Sequence, residues 1–484
     1  MPSNTTIPDA AHRLRTILTD NVPYCSGTFV GQPRDFLLYY GKAEQVGRID
    51  LANGTVDELD RLAEACQPAS FGVNQEDVFD ESYRKAGKLD LDSFVLAFNA
   101  DTHTSMLDAI RSGLFPGTDD RAIQVELYKL NVYGENAFFK SHKDTPRAEN
   151  MFGSLVIVFP TPHVGGALIL RHDGREWVFD SGKLLSDPSL PPSIAYAAFF
   201  SDVDHEVTLV ESGHRVSATY NLYFSPSGAV PASATATSSA AALRVLHPVG
   251  ENPSEVSSAL QAILAEPAFL PNGGTLGFGL RHLYPFPKTW SDGDVEPLTS
   301  LKAWLKGSDA ALLHACHAHD LHPALQLLHE EEWDDRRGLR STLFHRMPVV
   351  DWAGEGEWID RQLLRYYGAT RMYRVDPFET ATPEEGRELK HMTRKAEETP
   401  ESGEEYDPDD TLPKKTATVH MLTNVTSNNR IKNTYAAYGN DASMGIMYVG
   451  MCLIVDIGPA GQRDNVDADR WRIKRSGTSE VESK

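Results

Sequence analysis

Cysteine is scarce in this 484-residue chain, basic charge is in deficit, and long apolar runs are missing. The four cysteines, Cys25, Cys66, Cys316 and Cys452, are scattered without metal-ligand or disulfide-framework spacing. Lys and Arg total 46 against 68 for Asp and Glu, a formal charge of -22. A surface that acidic repels phosphate backbones, so no nucleic-acid partner is expected, though a local basic pocket stays compatible with it. No stretch is long and apolar enough to cross a bilayer, so no membrane partner is expected either. The opening MPSNTTIPDAAHRLRTIL lacks the charged-then-apolar layout of a secretion signal. These absences together predict a soluble protein of a reducing compartment, cytoplasmic or nuclear.

What is present begins with apolar residues at 41%, enough for a large core, and the length suggests two or three domains or one large elaborated domain. The first hundred residues read mostly as helices. The clearest is TVDELDRLAEAC, in which Thr55 and Glu58 form a capping box. Leu59, Leu62, Ala63 and Cys66 then share one face, which makes Cys66 a packing residue.

From Ile123 the pattern changes to short strands: IQVELYKLNVY, GSLVIVFP, GALILRH, REWVFD, IAYAAFF, HEVTLV and RVSATYNLYF. Asp173-Gly174 between two such runs marks a hairpin turn. So many strands in about a hundred residues predict a barrel or sandwich, here a jelly roll. The fold class expected is α+β, a double-stranded β-helix (jelly-roll) core with flanking helices and a mixed C-terminal domain. The domain reading is 1–225 for the helical segment and jelly roll, 226–250 for a small-residue linker, and 251–484 for the C-terminal domain. Within the last, a charge-dense segment near 380–415 reads as a mobile acidic excursion.

One polar turn stands out. KSHKDTPR sets His142 and Asp144 one residue apart at the mouth of the apolar run Leu155–Phe159. A third partner, His205, opens the strand HEVTLV. Ten residues on comes Arg215, and a strand places Ser217 on the same face. Two imidazoles and a carboxylate on one face of iron(II) leave three positions open, enough for a chelating 2-oxo acid and dioxygen. The far carboxylate of such an acid needs a fixed cation, which the planar fork of Arg215 supplies, with Ser217 as an added donor.

H-x-D, a distal histidine and a basic residue ten positions later resemble the Fe(II)/2-oxoglutarate-dependent dioxygenases, in particular their prolyl 4-hydroxylase-like branch. NVYG is similar to the NYG segment of that branch, where the tyrosine contacts 2-oxoglutarate, which implies that role for Tyr133. Gly165–Leu168, GGAL, also matches the family. Arg215-Val-Ser217 fits the R-x-S signature of other branches, whereas many prolyl 4-hydroxylases carry lysine there. The resemblance covers about residues 60–225. The whole chain is similar to a group of fungal proteins sharing YKLNVYG, KSHKDTPR and DVDHEV.

The resemblance implies iron held by His142, Asp144 and His205, and 2-oxoglutarate anchored by Arg215, Ser217 and Tyr133. It implies hydroxylation of an unactivated C–H with O2 as oxidant, with ascorbate as an accessory reductant. A prolyl residue of a protein or peptide is the first substrate expected, and a small molecule or free amino acid the second. A non-catalytic sensor that binds metal and 2-oxoglutarate is the reading from a different class. Asp144 argues against a halogenase, since halogenating relatives usually lose the carboxylate ligand.

Other polar clusters compete for notice. His163, His172 and His214 read as loop or surface histidines. HACHAHDLH places His314 with His317, and His319 with His322, on faces of an expected helix, with no convincing acidic or thiol partner. His329-Glu330-Glu331 with His420 and Arg430 mimics the site's spacing, but its H-x-E sits in a helix-like run. Arg147 and Glu149 follow the metal turn, either gripping a substrate or bracing the loop.

Overall fold

The computed structural model describes residues 9–42, 45–73, 76–115, 122–225, 243–246, 253–287, 297–332, 339–345, 363–364, 368–375, 377–378, 415–425, 446–467 and 470–471. Two sheets carry the first half. The strands that matter for the site are β1 (Tyr24–Val30), β2 (Ile123–Tyr133), β3 (Phe138–His142) and β4 (Met151–Val158). They continue as β5 (Leu168–His172), β6 (Arg175–Phe179), β7 (Ser193–Phe200), β8 (Asp204–Val207) and β9 (Arg215–Phe224). An eight-stranded sheet contains β1-β7-β4-β9-β2 in that order, and a five-stranded sheet contains β6-β5-β8-β3. From β2 to β9 the chain passes back and forth between the sheets, so residues distant in sequence become neighbours. All of these pairings are antiparallel.

Sequence pattern explains the larger sheet. β4 and β7 are apolar almost throughout and are buried on both faces except for Ser193, which is half-buried. Their central position between β1 and β9 leaves neither with a free edge. The turn between β5 and β6 is the expected Asp-Gly hairpin. Asp173 and Gly174 both adopt positive φ, 50° and 74°, which a two-residue turn of this hand requires.

Several expectations need correcting. The first hundred residues are not mostly helical: α1 (Asp9–Thr19) and α2 (Val56–Ala65) are separated by the strands Tyr24–Val30, Leu37–Lys42 and Gln45–Asp50. Tertiary pairing outweighed the local helical spacing there. The Thr55–Glu58 capping box does form, with Glu58 accepting from the Thr55 backbone at 2.9 Å. HEVTLV is not one strand. β8 ends at Val207, and Val210–Gly213 pairs instead with His163–Gly165. The turn expected at KSHKDTPR begins later than its first residues, because Phe138–His142 is a strand, β3.

In the second half, six strands form a closed barrel, with Gly274–Gly279 and Met451–Ile457 adjacent in it. His329 and Glu330 lie on one of its strands, Ala324–Glu332, so the helix expected over HEE is overturned by strand pairing. His420 is on another barrel strand, and Arg430 lies outside the described residues. The expected histidine-rich helix spans only Gly307–Ala318, so His319 and His322 are beyond its end. The helices α1, α3 (Pro253–Ala265) and α4 (Gly307–Ala318) bury their apolar faces in one cluster with barrel residues such as Leu276 and Leu453. Most of 226–250 falls outside the described residues, but Arg244–Val245 adds a short strand to the edge beside β1. The acidic segment near 380–415 lies outside them too, apart from Lys415.

Candidate metal centre

Two cross-strand pairs build the site, one on each sheet. His142 ends β3 and lies directly opposite His205 of β8. Tyr133 ends β2 and lies opposite Arg215 of β9, with Asn131 opposite Ser217. Side chains paired this way come within contact range, which is how residues 63 to 86 positions apart become one site. Along β9 the alternation sends Arg215, Ser217, Thr219 and Asn221 into the cleft between the sheets.

One ligand atom each from His142, Asp144 and His205 falls within 4.8 Å of the others. The imidazoles are oriented from behind. His142 Nδ1 lies 2.8 Å from the Lys140 carbonyl and His205 Nδ1 3.1 Å from the Val203 carbonyl. A carbonyl can only accept, so both Nδ1 atoms carry a proton, and Nε2 is the nitrogen each ring has for a metal. His205 Nε2 is 3.8 Å from Asp144 Oδ1. Phe139 stacks on the His142 ring at 3.7 Å, and Phe199 leans on His205 at 4.7 Å. Burial, reinforced by the facing His205, holds the His142 imidazole well below its ordinary value and keeps it neutral.

Asp144 is steadied by a residue that sequence reading missed. Ser154 of β4, buried, donates from Oγ to Asp144 Oδ2 at 2.5 Å. Its only sequence signal is a lone hydroxyl inside an apolar strand. Arg84 was missed as well. It is buried, packs 4.2 Å over the Phe139 ring, and donates to Asn131 Oδ1 and the Ser70 carbonyl.

Arg215 is 1% exposed. Its Nη1 donates to Ser217 Oγ at 3.2 Å, while Nε and Nη2 are buried with no partner among the described residues. The Tyr133 ring faces the guanidinium at 5.5 Å. Burial pushes the Arg215 pKa down from its ordinary value. A buried cation with two unused donors is costly unless an anion joins it, so the cleft holds a ready-made carboxylate position.

The donor set fits iron(II): two imidazoles and one carboxylate, with the cleft open beside them. It fits a dicarboxylate too, because the orphaned Arg215 donors lie on the opposite sheet of the same cleft. Among the other expected candidates, His163 bonds through Nδ1 to the Thr161 carbonyl and His214 faces Asp60. His172 is no surface histidine: its Nε2 lies 3.3 Å from buried Asp202. Arg147 lies at the cleft with its Nη2 on the Tyr128 hydroxyl at 2.6 Å.

No family model matches the chain, and no curated protein matches it. Among solved structures it is similar to a prolyl-4-hydroxylase from Pseudomonas putida, with 20% identity, 45% of this chain and 100% of that one covered, and a TM-score of 0.26. It is also similar to a prolyl hydroxylase from Trichoplax adhaerens in complex with a hypoxia inducible factor oxygen degradation domain peptide. The values there are 15% identity, 46% of this chain, 96% of that one, and a TM-score of 0.27. A 2OG-Fe(II) oxygenase family oxidoreductase from Burkholderia pseudomallei follows at 17%, 46%, 92% and 0.22.

Proposed function

We propose that the chain is an Fe(II)/2-oxoglutarate-dependent dioxygenase that hydroxylates an unactivated C–H, first of all in a prolyl residue of a peptide or protein. Its catalytic unit is a double-stranded β-helix within residues 1–225, and 251–484 forms a second unit. The observation that carries the reading is the pairing of His142, Asp144 and His205 on one wall with the orphaned Arg215 donors on the other. The prolyl substrate is supported by the sequence resemblance through NVYG and GGAL.

Iron(II) bound with 2-oxoglutarate and O2 would supply the oxidant, with succinate and carbon dioxide as co-products. The residues of the chain do the rest. His142 and His205 present Nε2 because backbone carbonyls hold their Nδ1 protons. Asp144 offers Oδ1 while Ser154 occupies Oδ2. Arg215 takes the distal carboxylate of the co-substrate in a charge-assisted fork, beside Tyr133 and Ser217. Val156, Leu168, Phe199 and Val207 line the cleft and exclude water around these groups.

Anaerobic absorbance with iron(II) and 2-oxoglutarate tests the reading. The expected result is the visible charge-transfer band of a chelated 2-oxo acid, weakened in both Asp144→Ala and Arg215→Ala. No band from folded, metal-loaded wild type would overturn it.

A further inference from the structure

The buried cluster around Asp202 joins the two halves of the chain immediately upstream of β8. Asp202 is 2% exposed and receives four donors. Lys306 Nζ approaches Oδ1 at 2.9 Å, and the Leu283 backbone N–H approaches Oδ2 at 2.9 Å. His282 Nδ1 lies 3.2 Å from Oδ2, and His172 Nε2 3.3 Å from it. Lys306 is itself 1% exposed and also donates to the Leu283 carbonyl at 3.0 Å. The second half holds these donors stiffly. Asp309 accepts from the backbone of Arg281 and His282 and from the Tyr284 hydroxyl, which in turn accepts from the Lys306 backbone at 3.0 Å.

The next residue after Asp202 is Val203, whose carbonyl orients the His205 imidazole. Val203 is pinned on its other side, its N–H donating to the Phe200 carbonyl at 3.0 Å. A continuous chain of contacts thus runs from Lys306 through Asp202 and the 202–203 peptide to His205 Nδ1. We propose that Asp202 is a positioning residue for His205, clamped by Lys306 and His282, so that the second half of the chain is a structural part of the metal centre. This rests on the reading of His205 as a metal ligand.

Energetics favour that role over simple glue. Taking a carboxylate and an ammonium out of water carries a large desolvation penalty, and apolar packing at the same interface would do as well for stability. What an ionic clamp adds is a single allowed geometry, and a metal ligand needs its support fixed to a few tenths of an ångström. His172, Asp202 and His282 could themselves be taken for a second metal group. The Lys306 ammonium already stands on that carboxylate as its counter-cation, which disfavours a metal ion there.

Cobalt(II) titration of the full chain, followed by the visible d–d spectrum, tests the proposal. Asp202→Asn and Lys306→Met should each raise the cobalt(II) Kd about 10–100-fold and alter the spectrum, the range typical of residues that orient metal ligands. Lys306→Arg should restore both. Asp173→Asn, which removes the Arg281 ion pair across the same interface, is the stability control and should bind cobalt(II) as wild type does. Folded Asp202 and Lys306 variants with wild-type Kd and spectrum would overturn the proposal. So would failure of both to fold at low temperature, which would assign the cluster to folding alone. A wild-type stoichiometry of two that falls to one in Asp202→Asn would instead make the cluster a metal site. Wild type that binds no cobalt(II) would sink the metal reading itself, and is told apart from these by needing no variant.

Discussion

Arg215 holds a charge that, among the described residues, is answered only by one hydroxyl and the face of one tyrosine. Each buried, unsatisfied donor costs about 1–3 kcal/mol, so the apo protein carries a penalty that a bound carboxylate removes. Arg215→Met, which keeps length and loses charge, should therefore leave the apo Tm equal to or above that of wild type. It should also abolish the stabilisation by 2-oxoglutarate with metal present, read as a rise in Tm, which for wild type amounts to about 2.7 kcal/mol at a hundredfold excess over Kd. A thermal scan with and without 2-oxoglutarate reads both, and a 2-oxoglutarate shift retained in Arg215→Met would contradict the assignment. Ser154 makes the complementary case. Ser154→Ala removes the hydrogen bond to Asp144 Oδ2 and should weaken metal binding about 10–100-fold while leaving the fold intact, as isothermal titration would show. That His142, Asp144, His205 and Arg215 would meet in one cleft was legible in the sequence from residue type and strand spacing. Ser154, Arg84 and Asp202 were not, since their partners come from strand register and from segments far along the chain.

At the scale of elements, strands were legible where alternation or apolar runs are strong, as in β2, β4, β7 and β9, and the Asp-Gly turn between β5 and β6 was legible from its dihedral demand. β3 was not, because FFKSH is short and ends in polar residues, and its strand character comes from pairing with β8. The segment Gly165–Leu168 was matched by resemblance alone, and the structure supplies its physical reason. Gly166 has φ of 68°, and a Cβ there would stand 2.9 Å from Arg215 Cδ and 2.8 Å from Val210 Cγ2. The backbone passes this close to the Arg215 stem. Gly166→Ala pays twice, in left-handed strain and in displacement of the arginine. It should lower stability by more than about 1 kcal/mol and weaken 2-oxoglutarate binding, whereas Gly174→Ala, whose Cβ meets nothing within 4 Å, should lower stability and leave binding unchanged. Equal losses of 2-oxoglutarate affinity in the two variants would contradict the steric account.

At the scale of the whole molecule, buried histidines set how the protein meets acid. Burial is the leading cause that lowers the pKa of His142, His163, His282 and His420, which lie in both halves of the chain. At His282 the neighbouring Asp202 and Asp309 oppose that effect, and His172 adds to it. In the unfolded chain each imidazole returns to its ordinary value of 6.5. Below that pH the unfolded state binds protons that the folded state refuses, so acid favours unfolding. Each such group contributes up to about 1.4 kcal/mol per pH unit until its folded pKa is reached. Asp202 works in another window. Burial opposes its ionisation, yet Lys306 and His282 hold it well below 3.8, so its contribution is present above that pH and is lost only in stronger acid. Between pH 7.5 and 5 the histidines therefore decide the outcome. The Tm of the chelator-treated protein should hold steady down to about pH 6.5 and then fall progressively. His282→Gln, which retains a side-chain donor toward Asp202, should start from a lower Tm and lose less of it over the same interval. A Tm that rises on acidification, or a slope unchanged in His282→Gln, would mean that these imidazoles are already solvated in the folded protein and that the two halves meet less tightly than their buried contacts require.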